Sequence, residues 1–498
     1  MRPLRRSDRR WLWAAGSLLL LALLLDGCRQ RLAAPDLGGI YGRDAIRHHL
    51  ERNPVILIPG IMGTRLEDAT TGEVAWGNFG GGALDPTRPD GARRFALPLR
   101  ADERPPAPVV PAGVLDRVRV RLFGLPLEQQ AYFYLLSMLG SAGFRDESLA
   151  RSGAVDYGDD HFTCFQFGYD WRLDNADNAR RLDDFIHRKK AYVEAQLRRR
   201  GIEREVRFDV VAHSMGALLT RYYLRYGRQP LPADGSLPQL TWAGARLVER
   251  AILVGPPNGG SLVVLERIVR GHKPGAFLPR YPPAVIGSFP SVYQLLPRSR
   301  HGAYVDAGHR RQLDLFDPAL WQRLGWGLAD PRQDEVLAWL LPDVGARNER
   351  RRLARAALAR HLDRARRFHA ALDRPATPPA GTTLVLVAGD AVPTAASIAI
   401  DLDGGDFEVA SRAPGDGIVL RSSALMDERR ISDWRATLRS PIAWHAVTFF
   451  FDDHLGLVRD PTFTDNVLYQ LLEEPRRPFD DARREGQSDR LPGTVSRK

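Results

Sequence analysis

Six separated apolar runs constrain the fold of this chain more than any other feature. They are VILIPG (55–60), FTCFQFGYDW (162–171), VRFDVVAHS (206–214), RAILVGPP (250–257), TTLVLVAGD (382–390) and HAVTFFFDD (445–453). Their β-branched and aromatic content, nearly uninterrupted by polar residues, suits strands buried on both faces of a parallel sheet. Helical patterns lie between several of them, notably 125–144 and 178–199. Strands alternating with helices predict an α/β layered fold with a mostly parallel central sheet. The core is expected over 51–260 and 381–472, and the Gly/Pro-rich 77–125 reads as an excursion from the sheet. Residues 261–380 are too long for a loop and read as an inserted cap. The charged segment 473–498 reads as a disordered tail.

One strand-to-helix junction carries chemistry. In FDVVAHSMGALLTRYYLRYG (208–227), an apolar run leads directly into Leu218, Leu219, Tyr222, Tyr223 and Tyr226, which recur at helical spacing. Ala212, Ser214 and Gly216 give a one-substitution form of the G-x-S-x-G turn, whose flanking residues must be small so that strand and helix can approach. Such a turn presents the Ser214 hydroxyl at the end of the sheet, with the Met215 N–H as one oxyanion donor. A serine hydroxyl is inert until a base and an orienting carboxylate reach it.

In this type of sheet the acid and then the histidine follow later in the chain. Asp416, between Gly415 and Gly417 after a buried run, is the favoured acid, with Asp390, Asp401, Asp403 and Asp406 as competitors. His454 follows the last apolar run and is favoured as base over His445, which begins that run. His213 reads as a packing residue of the turn. The second oxyanion donor is expected from 56–68, with Ile61 first and Met62 second.

The N-terminus predicts export. Five arginines and one aspartate in residues 1–10 precede fifteen residues without a charge (11–25). That run is short for a membrane span and right for a secretory signal. Gly27-Cys28 then resembles a lipoprotein box, so residues 1–27 are expected as a signal peptide, Cys28 as a lipidated membrane tether and 28–50 as a linker. The expected location is the bacterial cell envelope, lipid-anchored and facing periplasm or exterior. The other cysteine, Cys164, is then unpaired, and no cysteine-based metal site is possible. No metal or other cofactor is expected.

A net charge of +11 suggests nucleic acid, but its distribution does not. Residues 346–372 alone hold nine arginines against Glu349 and Asp363, and residues 1–27 hold most of the remainder. No nucleic-acid module is visible, and no protein partner is predicted.

Together PVILIPGIMGTRLE (54–67), YDWR (169–172), VAHSMG (211–216), GPPNGGS (255–261), GDG (415–417) and the late His454 resemble the lecithin:cholesterol acyltransferase family. The resemblance spans about residues 50–470. It implies an α/β-hydrolase with a cap and a membrane-facing subdomain, which here falls to 77–125. It also implies acyl transfer from a glycerolipid to a serine and on to an alcohol or water. Carried over by motif, it assigns Ser214, Asp416 and His454 to a triad, and Ile61 and Met215 to the oxyanion hole. Ala217 departs from the second glycine of many relatives.

An acyl lipid is accordingly the expected substrate. Trp321 and Trp326 in the cap, and the stripe Leu358, His361, Ala365, Phe368 and Leu372 opposite arginines, could meet either a membrane or a protein core. Two other readings compete: an esterase for small soluble esters, and a hydrolase-fold lipoprotein without catalysis.

Overall fold

The computed structural model describes residues 41, 51–79, 84–101, 103, 108–115, 117–122, 125–130, 132–158, 161–273, 280–301, 304–306, 312–429 and 436–476. The expected signal peptide, Cys28 and most of the tail lie outside them.

Each of the six apolar runs supplies one strand of a single sheet. The strands are β1 (Val55–Ile58), β2 (Cys164–Gln166), β3 (Phe208–His213), β4 (Val248–Val254), β5 (Thr383–Gly389) and β6 (Ala446–Phe450), in the spatial order β6-β5-β4-β3-β1-β2. All neighbours are parallel; Leu57 pairs with Val211, Val211 with Ile252, and Ile252 with Val385. Alternate residues serve the two faces, as a pleated strand requires. Ile56, Ile58, Val210, Ala212 and Leu253 enter one core, while Val55, Leu57, Val211, Ile252 and Val254 enter the other. Cys164 is buried in β2, where burial pushes its thiol well above the ordinary value.

Two long helices pack on this frame. Asp174 caps α1 (Asn175–Arg199) by accepting from the Ala176 N–H. Every residue of α2 (Met215–Tyr226) is buried, so the helix after Ser214 is a rigid internal element.

The structure departs from sequence expectation in three places. Residues 125–130, read as helix, form a strand antiparallel to Arg117–Leu122, and the helix begins only at Phe133. The backbone of this stretch pairs residue by residue with Arg117–Leu122, from Arg117 with Gln130 to Leu122 with Leu125. The expected excursion is tied to the core, where Phe95 of the helix Pro89–Phe95 meets Trp171 edge-on at 5.9 Å.

The segment 261–380 contains α3 (Leu262–Arg270) and α4 (Arg347–Asp373), but its strand Tyr304–Asp306 joins a sheet with Val392–Ile400 and Phe407–Gly415. That small sheet therefore crosses the expected boundary at 380. Within α4, Leu358, Ala365, Phe368 and Leu372 are all buried, Phe368 stacks on Tyr222, and His361 stacks on Tyr293. Trp321 and Trp326 are also buried, donating to the Leu315 and Gly405 carbonyls. The apolar stripe and both tryptophans face protein.

Order also extends past 473. Arg476 grips the buried Asp209 with two hydrogen bonds of 2.8 Å, and Glu474 accepts from His445 and pairs with Arg250. A carboxylate wholly removed from water requires such a partner.

Candidate active site

The site lies at the carboxyl ends of the strands, where open α/β sheets place their ligand crevices. β3 ends at His213, and Ser214 turns the chain into α2 with φ 54° and ψ −123°. A non-glycine residue at positive φ is uncommon, and the strain is held by packing on both sides. Gly216 is required here, because a Cβ on it would lie 2.4 Å from the Pro59 carbonyl oxygen. The alanine at 212 is accommodated in the core without exposure.

Three side chains distant in sequence converge on this turn. The His454 Nε2 lies 2.9 Å from the Ser214 Oγ, and its Nδ1 lies 2.7 Å from the Asp416 Oδ2. Asp416 is itself oriented, its Oδ1 accepting from the Ile418 and Val419 N–H groups at 3.0 and 2.7 Å. The His454 N–H donates to the Asp416 carbonyl, which ties the two loops together. Burial pushes the Asp416 carboxyl up, but the His454 ring and these hydrogen bonds bring it below the ordinary carboxylate value. Gly255, at the end of β4, gives the imidazole room; a Cβ there would sit 3.1 Å from the ring.

Three of the four competing acids have other partners. Asp406 pairs with Arg270, Asp401 accepts from the Asp403 N–H, and Asp403 lies 3.7 Å from Arg323. His445 is bonded to Glu474.

The loop after β1 faces the same space. Ile61 and Met62 line the cavity that contains Ser214 and His454, and Met62 has φ 64°. Met215 opens α2, where the first N–H groups have no partner within the helix. The YDWR motif braces this loop: the Tyr169 hydroxyl donates to the Pro59 carbonyl and the Trp171 indole to the Thr64 carbonyl. Arg172 and Asp170 form a buried bidentate pair beneath it.

Two residues given no chemical part by sequence reasoning connect these elements. The His213 Nε2 lies 3.0 Å from the His454 carbonyl and must donate to it, so its Nδ1 accepts from the Tyr132 hydroxyl at 2.9 Å. That hydroxyl in turn accepts from the Gly60 N–H at 2.8 Å. Burial, with the neighbouring His454, lowers His213 to about 3, so the ring stays neutral and keeps this tautomer. The chain Gly60–Tyr132–His213–His454 thus sets the β1 loop against the histidine backbone. The His-Ser pair was the only sequence signal for it.

The cavity holds about 490 Å³ and is walled mainly by apolar side chains, among them Trp76, Leu115, Val264, Leu295 and Val419. The strand order, the strained serine turn and the order Ser–Asp–His along the chain define an α/β-hydrolase fold. Residues 153–317 match the model of the lecithin:cholesterol acyltransferase family. The matched segment includes β2, the serine turn, α2 and β4; Asp416 and His454 lie beyond it and enter through geometry.

Among solved structures, the chain is similar to one in the crystal structure of the Tle4–Tli4 complex. The two are 16% identical, the match covers 84% of this chain and 97% of that one, and the TM-score is 0.49. It is also similar to lipase 1 from Pelosinus fermentans (12% identity, 85% and 99% covered, TM-score 0.31). A third is phospholipase PlaB from Legionella pneumophila (15% identity, 56% and 41% covered, TM-score 0.23). No curated protein sequence matches the chain significantly.

Proposed function

We propose that the protein is a serine-dependent lipid acyl hydrolase or acyltransferase acting through an acyl-enzyme. The observation that carries this reading is the meeting of Ser214, His454 and Asp416 at 2.9 and 2.7 Å, at the wall of an apolar cavity. His454 takes the Ser214 proton as the oxygen attacks the ester carbonyl, then gives it to the departing alkoxide. Asp416 holds the ring in the required tautomer and balances its transient charge. The Ile61 and Met215 N–H groups receive the oxyanion, which is the largest electrostatic contribution in such reactions. Water or an alcohol then repeats the sequence in reverse and releases the acyl group.

A lipid substrate is supported by the family match and by the cavity wall. Leu455, directly after the base, lines the cavity and is 39% exposed, and Phe451 on the same loop is 87% exposed. Exposed apolar side chains beside an apolar cavity suit an enzyme that draws substrate from an interface. A lipid on Cys28 would tether the enzyme there and raise its effective concentration at the envelope membrane.

Vesicles test the substrate class. Fatty acid or a new acyl ester is expected from phospholipid vesicles carrying long chains, identified by mass spectrometry of the extracted lipids. Turnover confined to acetyl and butyryl esters would instead establish a small-ester esterase.

A further inference from the structure

The loop after β1 meets two opposed demands. Gly60 lies so close to the nucleophile that a Cβ on it would sit 2.8 Å from the Ser214 Cβ. Only a glycine fits, yet a glycine leaves the backbone free to rotate where the Ile61 N–H must stay aimed. A residue without a side chain cannot be locked by rotamer packing, so hydrogen bonds must hold it.

The Pro59–Gly60 peptide is held from both edges by tyrosine hydroxyls. Tyr169 donates to the Pro59 carbonyl at 3.0 Å, and the Gly60 N–H donates to Tyr132 at 2.8 Å. The Gly60 carbonyl in turn accepts from the Gly63 N–H at 3.1 Å. Carbonyl and N–H point opposite ways in a trans peptide, so this last bond turns the Ile61 N–H away from Gly63. No acceptor among the described residues takes that N–H, and Ile61 lines the cavity.

Tyr132 differs from Tyr169 in making a second bond. It donates to the His213 Nδ1 at 2.9 Å, and the His213 Nε2 donates to the His454 carbonyl at 3.0 Å. A carbonyl can only accept, and a neutral imidazole has one donor and one acceptor nitrogen, so every bond of the chain has a fixed direction. Burial pushes the Tyr132 hydroxyl above the ordinary tyrosine value, which keeps on it the proton that His213 accepts. One buried hydroxyl thus joins the backbone of the oxyanion loop to the backbone of the base.

Resting on the serine mechanism proposed above, we infer that Tyr132 is a positioning residue whose hydroxyl aims the Ile61 N–H at the oxyanion and keeps that donor in register with His454. It acts through Gly60 and His213 rather than on the substrate. An aimed donor matters most once charge has moved onto the ester oxygen, so its loss falls on the transition state and not on substrate binding.

Tyr132→Phe tests this, because it keeps the ring and removes the hydroxyl. On a soluble p-nitrophenyl ester, kcat is expected to fall about 10- to 100-fold with KM nearly unchanged, a part of what losing an oxyanion donor costs. Two ketones separate this from a general loosening of the fold. A trifluoromethyl ketone with an alkyl chain adds to the enzyme: the Ser214 oxygen bonds to the carbonyl carbon, the carbonyl π pair becomes the oxyanion, and the serine proton passes to His454. The methyl ketone of the same chain length binds without adding. Tyr132→Phe is expected to weaken the trifluoromethyl ketone by the factor lost in kcat and to leave the methyl ketone unchanged, both read as inhibition constants.

Equal weakening of both ketones would make Tyr132 a packing residue and overturn the proposal, as would an undiminished preference for the trifluoromethyl ketone. A crystal structure of that adduct on the unmodified chain needs no variant. It is expected to place the adduct oxygen on the Ile61 N–H, with the Gly60 N–H still on the Tyr132 hydroxyl, and an oxygen held elsewhere would overturn the proposal. If the unmodified chain bound both ketones equally, the serine mechanism would fail and this inference with it. A preference present in the unmodified chain and retained in Tyr132→Phe would overturn the inference alone.

Discussion

Replacing Ser214 by alanine is expected to lower kcat by about four orders of magnitude or more, with folding preserved. The side chain is 7% exposed and the turn around it is held by Gly216, Gly60 and the Ser214 N–H, which donates to the Val254 carbonyl. Removal of one oxygen leaves that scaffold intact, and an alanine has the same backbone to place at φ 54°. What is lost is the oxygen bonded to the His454 Nε2 at 2.9 Å. Steady-state kinetics on a soluble ester, with circular dichroism to verify the fold, provides the comparison. Retention of more than a few per cent of the rate would move the nucleophile elsewhere.

Asp416→Asn is expected to cost about three to four orders of magnitude in kcat while leaving KM nearly unchanged. The reason lies in the two sides of the carboxylate. Its Oδ1 accepts two backbone N–H groups, so an asparagine must keep its carbonyl oxygen there. The amide NH₂ is then forced to face the His454 Nδ1, which sits 2.7 Å from the present Oδ2. An Nδ1 that must accept leaves the proton on Nε2, directed at Ser214, and a ring in that tautomer cannot take the serine proton. The same reasoning distinguishes Asp416→Asn from Asp416→Ala, in which the ring is free to turn over and some activity returns. Equal rates for the two variants would remove the tautomer argument.

The core was legible in sequence because its strands are buried on both faces. A run such as Val55–Ile58 needs no alternation to be recognised, and all four residues are inaccessible. The serine turn was legible because steric closeness restricts it to small residues at fixed spacing. Asp416 could be favoured over its neighbours by its position between glycines, although only the folded loop brings it to His454.

The unread parts are long-range. Tyr132 reaches His213 across 81 residues, and no local pattern marks a hydroxyl for that purpose. The stripe on α4 announces an apolar face by its period, but the period does not say what covers it; Tyr222 and Tyr293 do. Likewise the charge at Arg476 reads as tail composition until Asp209, 267 residues earlier, is found beneath it.

The central claim is that His454 and Asp416 make the Ser214 oxygen nucleophilic. Intact-mass and peptide mass spectrometry after brief exposure to a fluorophosphonate measures this directly. One adduct, mapped to Ser214 and absent from the His454→Ala chain, is the result expected. An adduct on another residue, or equal labelling of Ser214 once His454 is removed, would contradict it.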